Sequence, residues 1–225
     1  MNKKLNVLVT GGSKGIGKGI AEYYQSKNHN VLTPASSEIN LENLDLIEEK
    51  LNQYKKDKKI DILICCAGVN ENKSLDTFNI ESGKRLLDIN LLSNISLINL
   101  CSQDVKNNTF GRIVLIGSLW SEYVRKEKLF YSVSKHGLVS LTKTSALELA
   151  KYNILVNTVS PGFVNTDMTQ NSLTADQVKS FKSEIPLERF AEPKEIASLV
   201  YYLGSDNNTY VTGQNIFIDG GWSVG

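Results

Sequence analysis

The sequence is poor in the residues that build disulfide frameworks and metal sites. Its 225 residues include only three cysteines and two histidines. Cys65 and Cys66 are adjacent, an arrangement with unfavourable geometry for a bridge, so we expect them and Cys101 to be reduced, buried thiols. His29 and His136 have no partner at zinc-ligand spacing, and we therefore predict no metal site.

Long apolar runs and an excess of one charge are also missing. The N-terminal segment leads only into Leu5–Val9, far too short for a signal-peptide core or a membrane span, so we expect a cytoplasmic protein without a membrane partner. A formal net charge of +1 gives no basic surplus that would attract nucleic acid. The composition, 41% hydrophobic and 22% charged, is that of an ordinary folded protein.

Short apolar runs alternate with segments of helical periodicity along the chain. The predicted buried strands are Leu5 to Val9, Val31 to Thr33, Ile60 to Cys65, Arg112 to Gly117, Ile154 to Val159 and Gln214 to Ile218. The predicted helices cover residues 15–27, 43–56, 80–107, 131–151 and 193–204. This alternation predicts an α/β fold in which a doubly wound, mainly parallel sheet of six to seven strands carries helices on both faces. We expect one domain over residues 1–225, with a substrate lid around 164–192, where no clear period is present.

A glycine-rich turn follows the first predicted strand and opens a helix. It reads Thr10-Gly11-Gly12-Ser13-Lys14-Gly15-Ile16-Gly17. Glycines let the backbone approach a pyrophosphate closely, and a helix N-terminus supplies free N–H groups; a tight turn without a ligand is the alternative for this segment alone. The spacing T-G-x-x-x-G-x-G resembles the short-chain dehydrogenase/reductase family, which has a single-domain Rossmann fold.

Three tyrosine–lysine pairs have the spacing of the family's Y-x-x-x-K motif. Tyr131 and Lys135 match it, but predicted surface helices present the same spacing at Tyr23 and Tyr54. Spacing alone does not choose among them. Context favours Tyr131, because Ser118 lies thirteen residues upstream at the end of a predicted strand, where the catalytic groups of an open parallel sheet gather.

The resemblance implies a role for each of these residues. Tyr131 would be the general acid/base, and since a free tyrosine has a pKa of about 10, we expect the Lys135 ammonium and the positive nicotinamide ring to lower it. Ser118 would hydrogen-bond the substrate oxygen. Asn90 resembles the helix asparagine that completes the family's catalytic tetrad by holding a water, although a satisfied helix polar group is the alternative.

The resemblance also implies a set of dinucleotide contacts. The predicted cofactor-binding residues are Gly11, Ser13, Lys14, Gly15, Ile16, Gly17, Ser36, Ser37, Asn40, Leu41, Ala67, Gly68, Tyr131, Lys135, Pro161, Gly162, Val164 and Thr166. No acid ends the second predicted strand, where it would bind the 2′-hydroxyl of NAD, although Glu38 is near. Lys14 with Ser36 and Ser37 would instead hold a 2′-phosphate, so we predict NADP (NADPH), with NAD as the alternative.

Two segments depart from the family pattern. Cys65-Cys66-Ala67-Gly68 stands where the family usually has N-N-A-G, which removes amide hydrogen bonds that brace the sheet. A redox-sensing pair is the alternative to inert thiols there. In addition, only the four residues from Pro34 to Ser37 separate the second strand from Glu38–Leu41, which aligns with the family's third strand. Without the usual helix, that strand should be very short or irregular.

The C-terminal segments narrow the implied activity. Pro186–Pro193 and Thr212–Gly221 resemble the endings of 3-oxoacyl-[acyl-carrier-protein] reductases. The implied reaction is NADP(H)-dependent hydride transfer between nicotinamide and a ketone or secondary alcohol, such as a 3-oxoacyl group. The alternatives are an NAD-dependent dehydrogenase of a sugar or other secondary alcohol and, less well supported because Tyr131 and Lys135 are retained, a non-catalytic dinucleotide-binding regulator.

Two further expectations concern partners. Predicted helices 80–107 and 131–151 carry more apolar residues than one sheet face covers and form the family's subunit interface, so we expect a homodimer or homotetramer. The small-molecule substrate is a carbonyl compound or an alcohol. Residues between Ser118 and Tyr131, including Trp120, Tyr123, Arg125 and Lys126, suit several anionic or polar molecules.

Overall fold

A computed structural model describes residues 4–106, 110–167, 169 and 174–225 around one six-stranded sheet. The strands are β1 Asn6–Thr10, β2 Asn30–Leu32, β3 Ile62–Cys65, β4 Gly111–Ile116, β5 Ile154–Pro161 and β6 Asn215–Ile218. Their spatial order is β2-β1-β3-β4-β5-β6, and all neighbouring pairs are parallel. The α/β fold predicted from the alternating pattern is confirmed.

Helices cover both faces of this sheet. They are α1 Gly15–Ser26, α2 Ile47–Lys55, α3 Ile80–Leu87, α4 Ser93–Val105, α5 Leu129–Leu149, α6 Ala175–Ser183 and α7 Pro193–Gly204. On one face, Leu51, Leu97 and Leu138 bring α2, α4 and α5 into one core cluster. On the other face, Ile20 and Ile196 bring α1 and α7 into a second cluster. Because β1, β3, β4 and β5 are covered on both sides, they carry unbroken apolar runs rather than an alternating pattern, namely Val7–Val9, Ile62–Cys65, Ile113–Ile116 and Ile154–Val156.

The helix predicted over residues 80–107 is divided in the structure. A π-helical turn, Asp88–Leu92, separates α3 from α4, and residue 107 lies outside the described residues. The physical reason is that two side chains at the start of α4 hydrogen-bond backbone carbonyl oxygens of the preceding turn. Ser93 Oγ donates to Ile89 O at 2.7 Å, and Asn94 Nδ2 donates to Asn90 O at 2.8 Å. Such turns often occur at functional sites, and this one carries Asn90.

The segment after β2 is a turn, not a strand. The backbone N–H groups of Glu38 and Ile39 both donate to Ala35 O, and the Glu38 carboxylate accepts from Ala35 N at 2.8 Å. Ile39 is buried in the first core cluster. The connection is too short to cross the sheet face, so the predicted irregular third strand is replaced by this turn, and β2 forms the edge of the sheet.

The segment predicted to be a lid contains α6, and two of its phenylalanines pack on Phe163, which directly precedes it. Phe163 stacks on Phe181 at 4.7 Å and on Phe190 at 5.5 Å between ring centroids. Residues 168 and 170–173 lie outside the described residues, and the lid role stays a prediction. Among the helices described above, none combines the length and the apolar character that a membrane span requires.

Candidate active site

A cavity of about 410 Å³ opens where the carboxyl ends of β1, β3 and β4 meet. Its lining comes from the glycine turn, the segment after β3, the end of β4, helix α5 and the segment after β5. The lining residues are Gly11, Ser13, Lys14, Gly15, Ile16, Gly17, Cys66, Ala67, Gly68, Val69, Asn70, Ile116, Gly117, Tyr131, Lys135, Thr166 and Asp167. Most of the predicted cofactor-binding residues are therefore brought together in a cavity of the size that small ligands use.

The glycine turn has no room for side chains on its inner side. Gly11 has a φ of +67°, and a Cβ there would lie 2.8 Å from the Ala67 backbone. A Cβ on Gly17 would lie 2.2 Å from Gly11 O. Lys14, which precedes α1, makes no side-chain cap, so no side chain at this position occupies the first N–H groups of the helix. The turn thus suits the close approach of a pyrophosphate.

Thr10 fastens this turn to the neighbouring strand. Its Oγ1 accepts hydrogen bonds from the backbone N–H groups of Cys66 and Ala67, both at 3.1 Å. Sequence reasoning left Thr10 out of the predicted site, although the residue begins the T-G-x-x-x-G-x-G motif and so carried the signal. Its hydroxyl thus links β1 to the segment after β3. This is the place where Cys65 and Cys66 remove the amide hydrogen bonds that usually brace the sheet.

Tyr131 and Lys135 share one face of α5, and both line the cavity. Lys135 Nζ lies 5.6 Å from the centroid of the Tyr131 ring and donates to Ile116 O at 2.8 Å. Ser118 lies near enough to the Tyr131 hydroxyl to lower the pKa of Tyr131 by hydrogen bonding. The three predicted catalytic residues at the ends of β4 and α5 are therefore neighbours in space.

Burial governs the charge of this pair. It raises the pKa of Tyr131; the hydrogen bond from Ser118 opposes that rise, and the nearby Cys66 adds to it. Burial also lowers the pKa of Lys135 to about 8, while Cys66 acts in the opposite direction. In the protein alone, burial therefore outweighs the lowering of the Tyr131 pKa that the sequence led us to expect.

Asn90 lies next to this constellation and is fully engaged with protein groups. Its Oδ1 accepts from Val69 N at 2.8 Å, and its Nδ2 donates to Val69 O at 2.9 Å and approaches Ser134 Oγ at 3.2 Å. Ser134 in turn donates to Tyr131 O at 2.7 Å. Asn90 thus connects the cavity wall at Val69 to the helix that carries Tyr131, and its predicted water-holding role stays a prediction.

Four predicted cofactor residues near β2 do not line the cavity. Ser36 and Ser37 lie in the exposed turn described above. Asn40 uses its Oδ1 to accept from Glu42 N at 3.0 Å, and Leu41 packs against the first core cluster. Asn40 and Leu41 were placed by alignment with a strand that this chain lacks, and Ser36 and Ser37 were placed by their position after β2.

Three predicted residues at the end of β5 and just after it also lie outside the cavity lining, whereas Thr166 belongs to it. Pro161 ends β5, and a Cβ on Gly162 would lie 2.8 Å from Asp219 Cα. Val164 is buried and forms a β-bridge with Ala191. These contacts hold the segment in place, and Thr166 then reaches the cavity beside the glycine turn.

Of the paired cysteines, Cys65 is buried and Cys66 is partly buried. Cys66 lines the cavity, and burial raises its pKa to about 12. Burial also raises the pKa of Cys65 well above its usual value and that of Cys101 to about 12. Thiolate is the reactive form, so these shifts favour inert thiols over the redox-sensing alternative.

Lys128 is a further residue at the site that sequence reasoning did not single out. It lies one helical turn before Tyr131, with its Nζ 5.6 Å from the centroid of that ring. The ammonium donates to the side-chain oxygens of Asn70 and Asn72. The i,i+3 spacing from Tyr131 was a signal for this placement.

Known proteins resemble the chain over nearly its whole length. The family model described as enoyl-(acyl carrier protein) reductase matches residues 35–223. The chain is 34% identical to the 3-oxoacyl-[acyl-carrier-protein] reductase FabG of Buchnera aphidicola subsp. Acyrthosiphon pisum, with 95% of each chain covered. It is also 34% identical to the FabG of Haemophilus influenzae, over 95% of this chain and 96% of the relative.

Solved structures agree with this assignment. A short chain dehydrogenase family protein from Francisella tularensis subsp. tularensis is 34% identical, with a TM-score of 0.89 over 99% of this chain and 100% of the other. A 4-hydroxyisoleucine dehydrogenase complexed with NADH is 29% identical, with a TM-score of 0.93 and the same coverage. The chain therefore belongs to the short-chain dehydrogenase/reductase family and is an oxidoreductase that acts on alcohol or carbonyl groups.

Proposed function

We propose that the protein is an NADP(H)-dependent reductase of 3-oxoacyl or similar carbonyl groups, with Tyr131 as general acid. The observation that carries the proposal is the pair formed by Tyr131 and Lys135, with Lys135 Nζ 5.6 Å from the Tyr131 ring centroid, in the cavity that the glycine turn also lines. Relatives named as 3-oxoacyl-[acyl-carrier-protein] reductases support the substrate class. The NADH complex of the 4-hydroxyisoleucine dehydrogenase supports a nicotinamide dinucleotide cofactor.

The described residues fit such a cofactor. The side-chain-free inner surface of the Gly11–Gly17 turn and the uncapped N-terminus of α1 would hold the pyrophosphate. Thr166 would hold the nicotinamide carboxamide, and Lys135 would reach the nicotinamide ribose. When bound, the reduced nicotinamide supplies the hydride for the carbonyl carbon.

The remaining chemistry belongs to Ser118, Tyr131 and Lys135. The Ser118 hydroxyl would donate to the substrate oxygen, and Tyr131 would transfer its phenolic proton to that oxygen as negative charge develops. Burial raises the pKa of Tyr131, which keeps the phenol protonated at neutral pH, the form that reduction requires. The reverse reaction needs tyrosinate, which the Lys135 ammonium and a positively charged oxidised nicotinamide would favour.

A substrate panel tests this function. NADPH oxidation is followed by absorbance with acetoacetyl thioesters, simple ketones and oxidised sugars, and NAD reduction is followed with sugars and secondary alcohols. We expect the thioester and related ketones to be reduced with NADPH. Turnover of alcohols with NAD alone would favour the dehydrogenase alternative, and cofactor binding without any turnover would favour a regulator.

Lys14→Glu tests the choice of NADP. Lys14 is exposed and lines the cavity, and a charge-assisted contact to a 2′-phosphate is worth enough that its loss should weaken NADPH binding roughly tenfold or more. NADH affinity should change much less. Lys18→Glu on the exposed side of α1 makes the same charge change and serves as the control, since Lys18 does not line the cavity. Equal losses for the two cofactors, or a wild-type preference for NADH, would contradict the NADP proposal.

We also propose that the chain forms a homodimer or homotetramer. Apolar side chains on the π-helical turn, α4 and α5 are exposed in the single chain, among them Leu92, Ile95 and Val133. Burying them against a second copy would remove apolar surface from water, which supports the interface expected for predicted helices 80–107 and 131–151.

A further inference from the structure

Lys128 places a positive charge beside the proposed catalytic tyrosine. Its Nζ lies 5.6 Å from the Tyr131 ring centroid and donates to Asn70 Oδ1 at 2.9 Å and to Asn72 Oδ1. Both acceptors are neutral amides, and Asn70 lines the cavity. An ammonium group has three N–H donors, so one donor remains for another acceptor.

Arg125 places a second positive charge nearby. Its guanidinium carbon lies 4.9 Å from the Phe181 ring centroid, so the side chain extends from the segment after Ser118 to helix α6. Burial lowers the pKa of Lys128, and the charge of Arg125 lowers it further. Lys128 N donates to Arg125 O at 3.3 Å, so a single backbone turn carries both cations.

No carboxylate of the described residues forms an ion pair with either cation. Glu127 raises the pKa of Lys128 and so offsets part of the repulsion, but it does not come within ion-pair distance. Elsewhere in the chain, Arg189 contacts Glu195 at 2.7 Å. Two neighbouring cations without an ion-pair partner attract an anion more strongly than charges separated by bulk water do.

We propose that Lys128 and Arg125 bind a carboxylate of the substrate, so that the enzyme reduces short oxo acids in which this group lies a few bonds from the carbonyl. The proposal rests on the proposed function, because it assumes that Tyr131 protonates the carbonyl oxygen. A neutral ester or thioester of the same chain length places only an uncharged oxygen between the two cations, and such an oxygen binds them more weakly.

The test compares acetoacetate with methyl acetoacetate, whose carbon skeletons differ only in the charge-neutralising methyl group. The quantity measured is the ratio of their kcat/KM values with NADPH. Lys128→Met should lower this ratio roughly tenfold by slowing the acid alone, and Lys128→Arg should retain most of it. Lys194→Met is the control, since Lys194 is an exposed lysine of α7 that does not line the cavity, and it should leave the ratio unchanged. NADPH affinity measured by fluorescence reports whether each variant is folded.

The outcomes separate this inference from the function beneath it. If the wild type prefers the ester, or if Lys128→Met slows acid and ester equally, Lys128 only braces the segment from Asn70 to Asn72 and the inference is wrong, while the reductase proposal stands. If no oxo acid, ester or thioester is reduced although NADPH binds, both proposals fail.

Discussion

Tyr131→Phe is expected to abolish carbonyl reduction while leaving NADPH binding nearly intact. The substitution removes only the phenolic oxygen, so the substrate loses its proton donor while the ring keeps its place beside Lys135. General acid catalysis contributes roughly a hundredfold or more, which sets the minimum expected loss in kcat. The measurements are kcat from NADPH oxidation and the NADPH dissociation constant from fluorescence.

Two other tyrosines provide controls with the same sequence spacing. Tyr23 packs against Tyr201 with 5.4 Å between ring centroids, and Tyr54 packs against the first core cluster. Neither lines the cavity, so Tyr23→Phe and Tyr54→Phe should keep near wild-type activity. The assignment of Tyr131 is wrong if Tyr131→Phe retains more than about a tenth of wild-type kcat. Such a variant would have lost less than tenfold in kcat, which is smaller than the loss that general acid catalysis implies.

The parts of the fold that depend on local pattern were predictable from the sequence. Apolar runs bounded by turns gave the strands, and the i,i+4 spacing placed Tyr131 and Lys135 on one face of α5. The glycine turn was predictable for the same reason, because tight approach of the backbone demands small residues at fixed positions. These features need no knowledge of distant contacts.

The sequence marks the positions of Thr10 and Lys128, but the distant residues that they contact were not predictable. Thr10 binds the backbone of Cys66 and Ala67, and Lys128 binds Asn70 and Asn72, across more than fifty residues in each case. Periodicity contains no information about such pairs. The π-helical turn was missed for a related reason. It depends on hydrogen bonds from Ser93 and Asn94 to backbone carbonyl oxygens, whereas the apolar pattern continues through the turn without a break.

Residues placed by resemblance to the family agree least with the structure after β2, where the chain lacks the family's usual crossover helix. Ser36 and Ser37 were expected to contact the cofactor because they follow β2, but they lie in a turn outside the cavity lining. The Glu38 carboxylate accepts from Ala35 N and stabilises this turn. Loss of the crossover helix after β2 therefore changes which side chains lie near the end of β2. It leaves the glycine turn and Tyr131 unchanged.

Gly17→Ala is expected to impair cofactor binding more than any other conservative change in the turn. The added Cβ would lie 2.2 Å from Gly11 O and 2.8 Å from Gly11 C, both backbone atoms of the opposite side of the turn. The clash is relieved only if the turn opens, which displaces the N–H groups proposed to hold the pyrophosphate. Overpacking of this kind costs about 1–3 kcal/mol, and if that cost appears in binding, NADPH affinity should fall roughly ten- to a hundredfold.

Gly19→Ala separates this effect from a general loss of stability. A Cβ on Gly19 would lie 2.9 Å from Pro193 Cβ, where α1 packs against α7 and away from the cavity lining. This variant should therefore lower the melting temperature and keep NADPH affinity, whereas Gly17→Ala should lose affinity at temperatures where it remains folded. Fluorescence titration and thermal unfolding of both variants give the comparison. Parallel losses of affinity and stability in the two variants would mean that the Gly11–Gly17 turn supports only the packing of α1 and does not bind the dinucleotide.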